Sequence, residues 1–178
     1  MRARLAALEP ERALAASRAA ADRLLALPEF DDARGLLVFL SFGHEIDTGS
    51  VLERWLDAGR TLFVPRLLRP AAPLEVCRYP CPLETSSFGI RQPVAAAPAL
   101  AEEAIAGEVD AVVVPGLAFD RRCHRLGYGA GAFDRFLSDR GVLTVGFGFD
   151  LQVVDRVPVE DHDVRLDRVV TEARVLAT

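Results

Sequence analysis

A glycine-rich segment at residues 115–135 carries the side chains whose types and spacing could do chemistry. Gly127, Gly129 and Gly131 recur at every second position, and glycine readily adopts the positive φ values that let a backbone approach an anion closely. Successive N–H groups in such a loop form a concave donor nest for phosphate oxygens. Arg125 adds a guanidinium for charge-assisted hydrogen bonds, and Asp134 offers hard oxygens to Mg²⁺. The segment therefore predicts a site for a metal-bound polyphosphate.

The cations of the chain narrow the possible chemistry. All 21 basic residues are arginine, and the sequence contains no lysine. A Walker A phosphate loop and Schiff-base catalysis both require a lysine side chain, so neither mechanism can operate here. Cationic contacts to phosphate must come from arginine, whose planar fork suits bidentate recognition.

Length and charge limit the organisation and the partners. A chain of 178 residues with 51% hydrophobic content can bury one substantial core, so we expect residues 1–178 to form a single domain. A net charge of −5 gives a nucleic-acid partner no electrostatic support. The chain has no apolar run of ~18 residues and no signal-peptide core. We expect a monomeric cytoplasmic protein that binds a small molecule and no nucleic acid or membrane.

The three cysteines, Cys77, Cys81 and Cys123, are too few for a disulfide framework and indicate a reducing compartment. Together with His124 they could supply four zinc ligands. The first spacing is not Cys-x-x-Cys, and adjacent ligands are awkward for a tetrahedral ion. Buried or half-exposed thiols are the favoured interpretation.

Apolar periodicity predicts alternating helices and strands. Helices are expected over residues 10–27, from 47 or 48 to 58, over 99–106 and from about 130 to 139. Strands are expected over 35–42, 61–64, 74–79, 110–114 and 142–149, with short edge strands at Val157, Val159 and within 169–176. This alternation, with near-continuous apolar strands, predicts a three-layer α/β/α domain around a mainly parallel sheet.

Three polar segments follow strands of this predicted sheet. Residues 41–48 follow the first strand, the glycine loop follows the fourth, and Asp161-His162-Asp163 comes after the strand at 142–149. In open α/β sheets ligands bind beyond the carboxyl ends of the strands. We therefore expect the three segments to converge on one cleft.

A series of motifs occurs in a fixed order along the chain. They are Leu-Pro-Glu-Phe at 27–30, Glu-Ile-Asp-Thr at 45–48, Val-Pro-Arg at 64–66, Phe-Gly-Ile at 88–90, PGLAFDRR at 115–122, RLGYGAGAFDRFL at 125–137 and HDVRLDRVVTE at 162–172. In this combination the sequence resembles the 5-formyltetrahydrofolate cyclo-ligase family, also called methenyltetrahydrofolate synthetase. The resemblance covers most of the chain.

The resemblance implies an ATP-dependent cyclisation of 5-formyltetrahydrofolate to 5,10-methenyltetrahydrofolate, with release of ADP and phosphate. ATP and Mg²⁺ are the implied cofactors, and a reduced folate is the implied small-molecule substrate. The family phosphorylates the formyl oxygen, and a neighbouring nitrogen then attacks the activated carbon. In such a reaction the protein mainly positions the reactants and neutralises charge.

Carried onto this sequence, the resemblance implies three groups of site residues. The ATP phosphate loop would comprise Arg125, Leu126, Gly127, Tyr128, Gly129, Ala130, Gly131, Ala132 and Phe133, and the magnesium ligands would be Asp134 and Asp163. The folate would contact Leu40, Glu45, Phe88, Tyr128 and Phe133. Arg125, Tyr128 and Asp134 would be the catalytic residues.

This chain departs from the family pattern at two places. Family members usually have two tyrosines where this chain has Ala132 and Phe133. They also have an N-terminal lysine and arginine that reach ATP, a role that Arg2 or Arg4 could take here.

Two other functions fit parts of the sequence. The sequence satisfies the fingerprint of an NAD-dependent dehydrogenase at Gly127-x-Gly129-x-x-Ala132, with Asp150 as the acid further along. In that fingerprint the first glycine follows its strand almost directly, whereas a long polar loop separates Pro115 from Gly127. The other possibility is a non-catalytic paralogue that binds folate or a nucleotide without turnover. The presence of both candidate metal ligands argues against it.

Overall fold

The computed structural model of the protein describes residues 1–69, 72–86, 89–138 and 140–178. Within them lie the helices α1 (Arg2–Ala6), α2 (Pro10–Leu25), α3 (Gly49–Asp57), α4 (Glu102–Glu108) and α5 (Ala132–Leu137). The strands are β1 (Gly35–Val38), β2 (Thr61–Arg66), β3 (Glu75–Tyr79), β4 (Leu83–Thr85), β5 (Arg91–Pro93), β6 (Ala111–Val114), β7 (Ala118–Asp120), β8 (Arg125–Leu126), β9 (Leu143–Phe147), β10 (Val153–Val154), β11 (Arg168–Val170) and β12 (Val175–Ala177). Short 3-10 helices occupy Pro28–Phe30 and Asp150–Gln152.

Seven of these strands form the main sheet, in the order β12-β11-β9-β6-β1-β2-β3. The pairs β1–β2, β1–β6, β6–β9 and β9–β11 are parallel, and the edge strands β3 and β12 are antiparallel to their neighbours. Every residue of the central strands β1 and β6 is buried, as expected for a parallel sheet that is covered on both faces. The predicted α/β class with a mainly parallel sheet is confirmed.

Helices cover both faces of this sheet. On one face α2 and α3 pack through Leu24 and Trp55 onto side chains of β1, β2, β6 and β9. On the other face α4 and α5 contribute Ile105 and Phe136 to a second buried cluster. The two clusters give the three-layer α/β/α arrangement that the sequence predicts.

The longest helix, α2, follows directly from its sequence. Pro10 stands in its first turn, where a missing N–H costs nothing, and the helix ends three residues before Pro28. Its buried residues, Ser17, Ala20, Ala21 and Leu24, recur at helical spacing along one face. Small alanines let this helix lie close to the sheet. No helix among the described residues has both the length and the apolar character needed to cross a bilayer.

The chain's single tryptophan anchors α3 to the sheet. Trp55 is 2% exposed, and its indole N–H donates to the carbonyl of Thr61 at 2.9 Å. Its ring packs edge-to-face on Phe30 with the centroids 5.6 Å apart, and the Arg60 guanidinium lies 4.7 Å from its centroid. This cluster fixes the start of β2 beneath α3.

The structure corrects some predicted element boundaries. The edge strand predicted at Val157 and Val159 is wrong: neither residue lies in a strand, and the nearby strand is β10. Pro158 has no N–H to give to a ladder, and the N–H of Val157 faces the Asp120 carboxylate at 3.4 Å instead. The strand predicted over 35–42 ends at Val38. The helix predicted over 99–106 corresponds to α4, and the helix predicted to reach 139 is α5, which ends at Leu137.

Candidate active site

A cavity of about 1120 Å³ lies beyond the carboxyl ends of β1, β2 and β6. This is where ligands bind in open parallel sheets. Its walls come from four parts of the chain: the segment after β1, the segment after β2, the β4–β5 hairpin, and the glycine loop with the start of α5. Of the three segments predicted to converge on one cleft, residues 41–48 and the glycine loop both contribute to the cavity lining, whereas Asp161, His162 and Asp163 do not.

The glycine loop forms one wall of the cavity through its backbone. Gly129 has φ 102° and Gly131 has φ 59°, both in the region that favours glycine. Gly127 does not have a positive φ, so the expectation that all three glycines adopt it is wrong. A Cβ built at Gly127 or Gly129 would meet no atom within 4 Å. The space in front of this backbone is open to a ligand.

The turn between β7 and β8 directs the loop towards the cavity. Asp120 is buried at 1% exposure, and its carboxylate accepts the backbone N–H groups of Arg122 and His124 at 2.9 and 3.0 Å. Cys123 takes φ 63° within this turn. Burial alone would raise the pKa of Asp120, but these N–H donors lower it. A carboxylate with a lowered pKa thus holds the turn that leads into β8 and Arg125.

Arg125 and Asp134 form a buried ion pair in the cavity wall. Arg125 Nη2 lies 2.9 Å from Asp134 Oδ2, and the two side chains are 4% and 14% exposed. Val164 links the pair to the later segment, because its N–H donates to Asp134 Oδ1 at 3.1 Å and its carbonyl accepts from Arg125 at 3.4 Å. Burial lowers the pKa of Arg125, an effect that Asp134 and Asp163 oppose. Arg125 therefore stays cationic within the wall.

Asp163 lies near this pair but not in the cavity lining. Its carboxylate accepts the N–H of Glu160 at 2.8 Å, and it interacts electrostatically with Arg125. The charges of Asp134 and Asp163 therefore both favour the charged form of the Arg125 guanidinium and raise its pKa. No group of three or more His, Cys, Asp and Glu suited to a metal occurs in the described part of the chain. Two carboxylates are nevertheless enough for Mg²⁺ when phosphate and water supply the other oxygens, so this donor set fits that ion.

Glu45 and Tyr128 join the segment after β1 to the glycine loop. The Glu45 carboxylate accepts the Phe42 N–H at 3.0 Å and a hydrogen bond from the Tyr128 hydroxyl. Burial raises the pKa of Glu45, and these two donors oppose the rise. Burial, and then the Glu45 charge, also raises the pKa of Tyr128. The phenol therefore remains neutral and donates to the carboxylate.

Arg2 also approaches the glycine loop. Its guanidinium carbon lies 5.9 Å from the centroid of the Tyr128 ring, within the range of a cation–π contact. Among the described residues Arg2 makes this cation–π contact, and Arg4 does not.

The segment after β1 is held by its own side chains. Ser41 Oγ donates to the Ile46 carbonyl at 2.8 Å and accepts the Thr48 N–H at 2.7 Å. The Thr48 hydroxyl donates to the Phe39 carbonyl at 3.0 Å rather than capping α3. These bonds turn the chain back on itself between β1 and α3. Leu40 and Glu45 are thereby fixed in the cavity lining.

An apolar wall faces the polar loops. It includes Phe39, Phe42, Pro65, Leu67, Leu68, Leu74, Ile90, Pro115 and Phe133. Phe42 also contacts the tip of the β4–β5 hairpin, because a Cβ at Gly89 (φ 79°) would lie 2.9 Å from its ring. A flat aromatic ligand suits such a wall.

Most of the predicted site residues line this cavity. Leu40, Glu45, Asp134 and the run from Arg125 to Phe133 do so, with Leu126 as the exception. Leu126 lies in β8, where its carbonyl accepts the N–H of Leu117. Phe88 lies outside the described residues. Phe42 and most of the β4–β5 hairpin were missed from the sequence, although the Phe-Gly-Ile motif at 88–90 marks the hairpin tip.

The dinucleotide-binding alternative does not match this geometry. The strand before Gly127 is the two-residue β8, which belongs to a separate three-stranded sheet with β7 and β10. Asp150, the acid of that fingerprint, is paired with Arg174 at 2.7 Å and accepts from Thr171. The glycine loop thus does not open a strand-to-helix unit of the main sheet.

Comparison with known proteins gives matches over nearly the whole chain. Residues 1–172 match the sequence profile of the 5-formyltetrahydrofolate cyclo-ligase family. The chain is 32% identical to the 5-formyltetrahydrofolate cyclo-ligase of Escherichia coli K12 over 182 residues, covering 98% of each chain. It is 27% identical to the mouse protein of the same name over 184 residues, covering 97% of this chain and 90% of the mouse protein.

A solved structure is similar to this chain in both fold and sequence. The NMR structure of 5,10-methenyltetrahydrofolate synthetase from Aquifex aeolicus matches this fold with a TM-score of 0.79 at 30% sequence identity. The match covers 96% of this chain and 84% of that one.

Proposed function

The chain belongs to the 5-formyltetrahydrofolate cyclo-ligase family and has its cyclo-ligase activity, and we propose that this reaction consumes ATP with Mg²⁺ in the cavity described above. The observation that carries the proposal is that a phosphate-type glycine loop and the Glu45 segment line the same cavity. A nucleotide and a reduced folate can therefore meet there. The product is 5,10-methenyltetrahydrofolate, with ADP and phosphate released.

ATP solves a leaving-group problem in this cyclisation. The formyl group on the ring nitrogen is amide-like, and its oxygen leaves poorly. In the proposed reaction the formyl oxygen takes the γ-phosphoryl group of ATP, and ADP leaves. The neighbouring nitrogen then attacks the formyl carbon and loses its proton, and the carbon–oxygen bond breaks to release phosphate. The protein's task is to align these groups and balance their charge.

The glycine loop is the proposed phosphate-binding element. The positive φ values of Gly129 and Gly131 support this role, because such a backbone can turn successive N–H groups towards an anion. Arg125 supplies a fixed cation in the same wall. In a chain without lysine, this guanidinium takes the charge-neutralising role that other phosphate loops give to a lysine.

Asp134 and Asp163 are the residues that would hold Mg²⁺. When bound, the ion would neutralise phosphate charge and orient the transferred group. Val164 donates its N–H to Asp134, and Glu160 donates its N–H to Asp163. Together with the contact of Arg125 to Asp134 Oδ2, these bonds orient both carboxylates before a ligand arrives.

Glu45 and the apolar wall are the proposed folate-binding elements. A carboxylate can accept two parallel N–H donors, which the amino-pyrimidinone edge of a pterin provides. The Phe42 N–H keeps Glu45 oriented for this contact. Leu40 and Phe133 supply apolar surface for the ring, and Phe88 is proposed to do the same. Tyr128 connects this end of the site to the phosphate loop.

The test is the near-ultraviolet absorbance of the methenyl product when the purified protein is mixed with 5-formyltetrahydrofolate, Mg²⁺ and ATP. We expect a rise that needs ATP and disappears when EDTA removes the metal. A protein that bound 5-formyltetrahydrofolate but released neither product nor phosphate would be a binding paralogue, and the proposal would be wrong.

A further inference from the structure

The side chain of Arg135 reaches back from α5 onto the glycine loop. Its Nη1 donates to the carbonyl of Ala130 at 2.8 Å, and the same nitrogen lies 3.1 Å from the point that a Cβ at Gly131 would occupy. The backbone N–H of Arg135 also donates to the carbonyl of Gly131 at 3.1 Å. One residue of α5 therefore holds two successive carbonyl groups of the loop.

Arg135 makes these contacts from outside the cavity. Ala130 and Gly131 line the cavity, whereas Arg135 does not belong to the lining and has an exposed side chain. In this it differs from Arg125, whose buried guanidinium lies in the wall and pairs with Asp134. The proposed reaction gives the guanidinium of Arg135 no role.

The backbone N–H groups of the same loop make no comparable contacts. From Gly127 to Asp134, none of them donates to a backbone or side-chain acceptor among the residues that the structure describes. The carbonyls of Ala130 and Gly131 are thus bound by the protein, while the neighbouring N–H groups can donate to a ligand or to water. This division suits a loop that binds an anion.

The planar peptide group converts the contact of Arg135 into an orientation. In a trans peptide the carbonyl oxygen and the N–H hydrogen point to opposite sides. The Ala130 carbonyl shares its peptide group with the N–H of Gly131, so a cation that draws this carbonyl to one side directs the N–H to the other. Gly131 has no Cβ and opposes the reversed peptide only weakly, so a fixed contact is needed to select one orientation.

We propose that Arg135 is a positioning residue for ATP. By holding the Ala130 carbonyl, it directs the Gly131 N–H towards a phosphate oxygen and keeps the carbonyl dipole away from the phosphates. Arg135 acts through the loop backbone and does not touch the nucleotide. This inference rests on the proposed function, since it takes the glycine loop as the phosphate-binding element.

The experiment measures dissociation constants for ATP with Mg²⁺ by calorimetry, without folate. Wild-type protein is compared with Arg135→Met, which keeps much of the side-chain length without a donor, and with Arg135→Lys, which restores a cationic donor. Arg23→Met is the matched control, because the exposed Arg23 of α2 also donates to a backbone carbonyl, that of Glu172, away from the cavity. Thermal melts show whether each variant is folded.

We expect Arg135→Met to bind ATP about tenfold more weakly than wild type, the effect of roughly one lost hydrogen bond to a charged group. Arg135→Lys should recover most of the affinity, and the control should match wild type. Salt screens attraction between exposed charges but leaves a bond within the loop in place. The ratio of the Arg135→Met and wild-type constants should therefore be the same at low and high salt. The dissociation constant for 5-formyltetrahydrofolate should not change in any variant.

A second measurement observes the Gly131 N–H itself. In NMR spectra of wild-type protein, ATP with Mg²⁺ should shift the Gly131 amide resonance more than that of Gly107, which lies in α4 outside the cavity lining. Equal shifts of the two resonances overturn the proposed contact. An Arg135→Met ratio near one, or a ratio that falls to one at high salt, overturns the positioning role.

The cyclisation assay is run in parallel with wild-type protein. Product formation together with unchanged ATP affinity in Arg135→Met leaves the proposed function intact and removes only this inference. Absence of product together with an ATP affinity that depends on Arg135 does the reverse. Wild-type protein that binds no ATP overturns both.

Discussion

The guanidinium of Arg125 lies 2.9 Å from the carboxylate of Asp134, and both side chains are largely withdrawn from solvent. A buried ion pair costs much more to break than to replace, because removing one partner leaves the other charge unpaired. Removal of either partner alone should therefore destabilise the fold as well as change the proposed phosphate and metal site.

Asp134→Asn should lose both turnover and stability. We expect the free energy of unfolding to fall by about 3 kcal/mol, because Arg125 would keep a buried charge without its partner. Urea denaturation followed by circular dichroism measures this change. The double variant with Arg125→Gln removes both charges, and it should regain much of the stability but none of the turnover. Full turnover in folded Asp134→Asn would show that this carboxylate does not serve the reaction.

Tyr128→Phe should shift the pH dependence of folate binding. Burial raises the pKa of Glu45, and the Tyr128 hydroxyl counteracts that rise. Without the hydroxyl the pKa of Glu45 moves higher still. In the proposed site, binding of 5-formyltetrahydrofolate needs ionised Glu45. The KM for this substrate should then begin to increase at a higher pH as the solution is acidified.

Tyr79→Phe provides the matched control for this shift. Tyr79 is the chain's other tyrosine, and it lies in β3 outside the cavity lining. The Tyr79→Phe variant should keep the wild-type dependence of KM on pH between pH 5 and pH 8. This range begins ~1 unit above the ordinary pKa of a carboxylate. If Tyr128→Phe and Tyr79→Phe gave superimposable profiles, the link between Tyr128 and Glu45 would have no role in binding.

Gly129→Ala should impair ATP use much more than Gly127→Ala. Gly129 has φ 102°, a conformation that an alanine adopts only with strain, whereas Gly127 has no positive φ. Added methyl groups meet no protein atom at either position, so neither variant should displace the protein's own side chains. We expect the KM for ATP to rise at least tenfold in Gly129→Ala, at a strain cost of about 1–2 kcal/mol. Equal KM values for the two variants would exclude a role for this loop conformation.

Arg2→Gln should weaken ATP binding, and Arg4→Gln should not. The Arg2 guanidinium lies near the Tyr128 ring in the glycine loop, whereas the Arg4 side chain forms no hydrogen bond, ion pair or cation–π contact among the described residues and does not line the cavity. An exposed cation at this distance is expected to change the KM for ATP about threefold, and the effect should shrink with added salt. Steady-state kinetics at two salt concentrations separate the variants. An equal loss in both would indicate a general charge effect.

Much of the fold follows from the sequence because its main elements carry strong local signals. The apolar runs around Leu36 and Val112 predict buried parallel strands, and the periodic alanines of α2 predict its helix. The short strands β4, β5, β7 and β8 have two or three residues, which is too few for a period to appear. β4 pairs with β5 and β7 pairs with β8 as local hairpins, but strands this short show no alternation of polar and apolar residues that would mark them.

Like the fold, the candidate site could be predicted from the sequence only in part. Glycines, an arginine and an aspartate at close spacing predicted a phosphate-binding loop from residue type alone, and the structure places that loop in the cavity wall. The contribution of Phe42 could not be predicted, since an isolated phenylalanine after a strand is usually core. Arg69 and Arg91 are also ordinary surface arginines in the sequence. They share a wall of the cavity where the N–H of Leu67 donates to the Gln92 side chain and joins the segment after β2 to β5.

The position of Trp55 makes the protein's intrinsic fluorescence a selective reporter. The indole is the only one in the chain, and it is buried between α3, Phe30 and Arg60 rather than in the cavity. Ligands that fill the cavity should therefore leave its emission almost unchanged, whereas global unfolding should shift the emission to longer wavelength. A tryptophan placed at Phe42 would add a second, ligand-sensitive emitter. The same optical signal could then follow unfolding and binding separately.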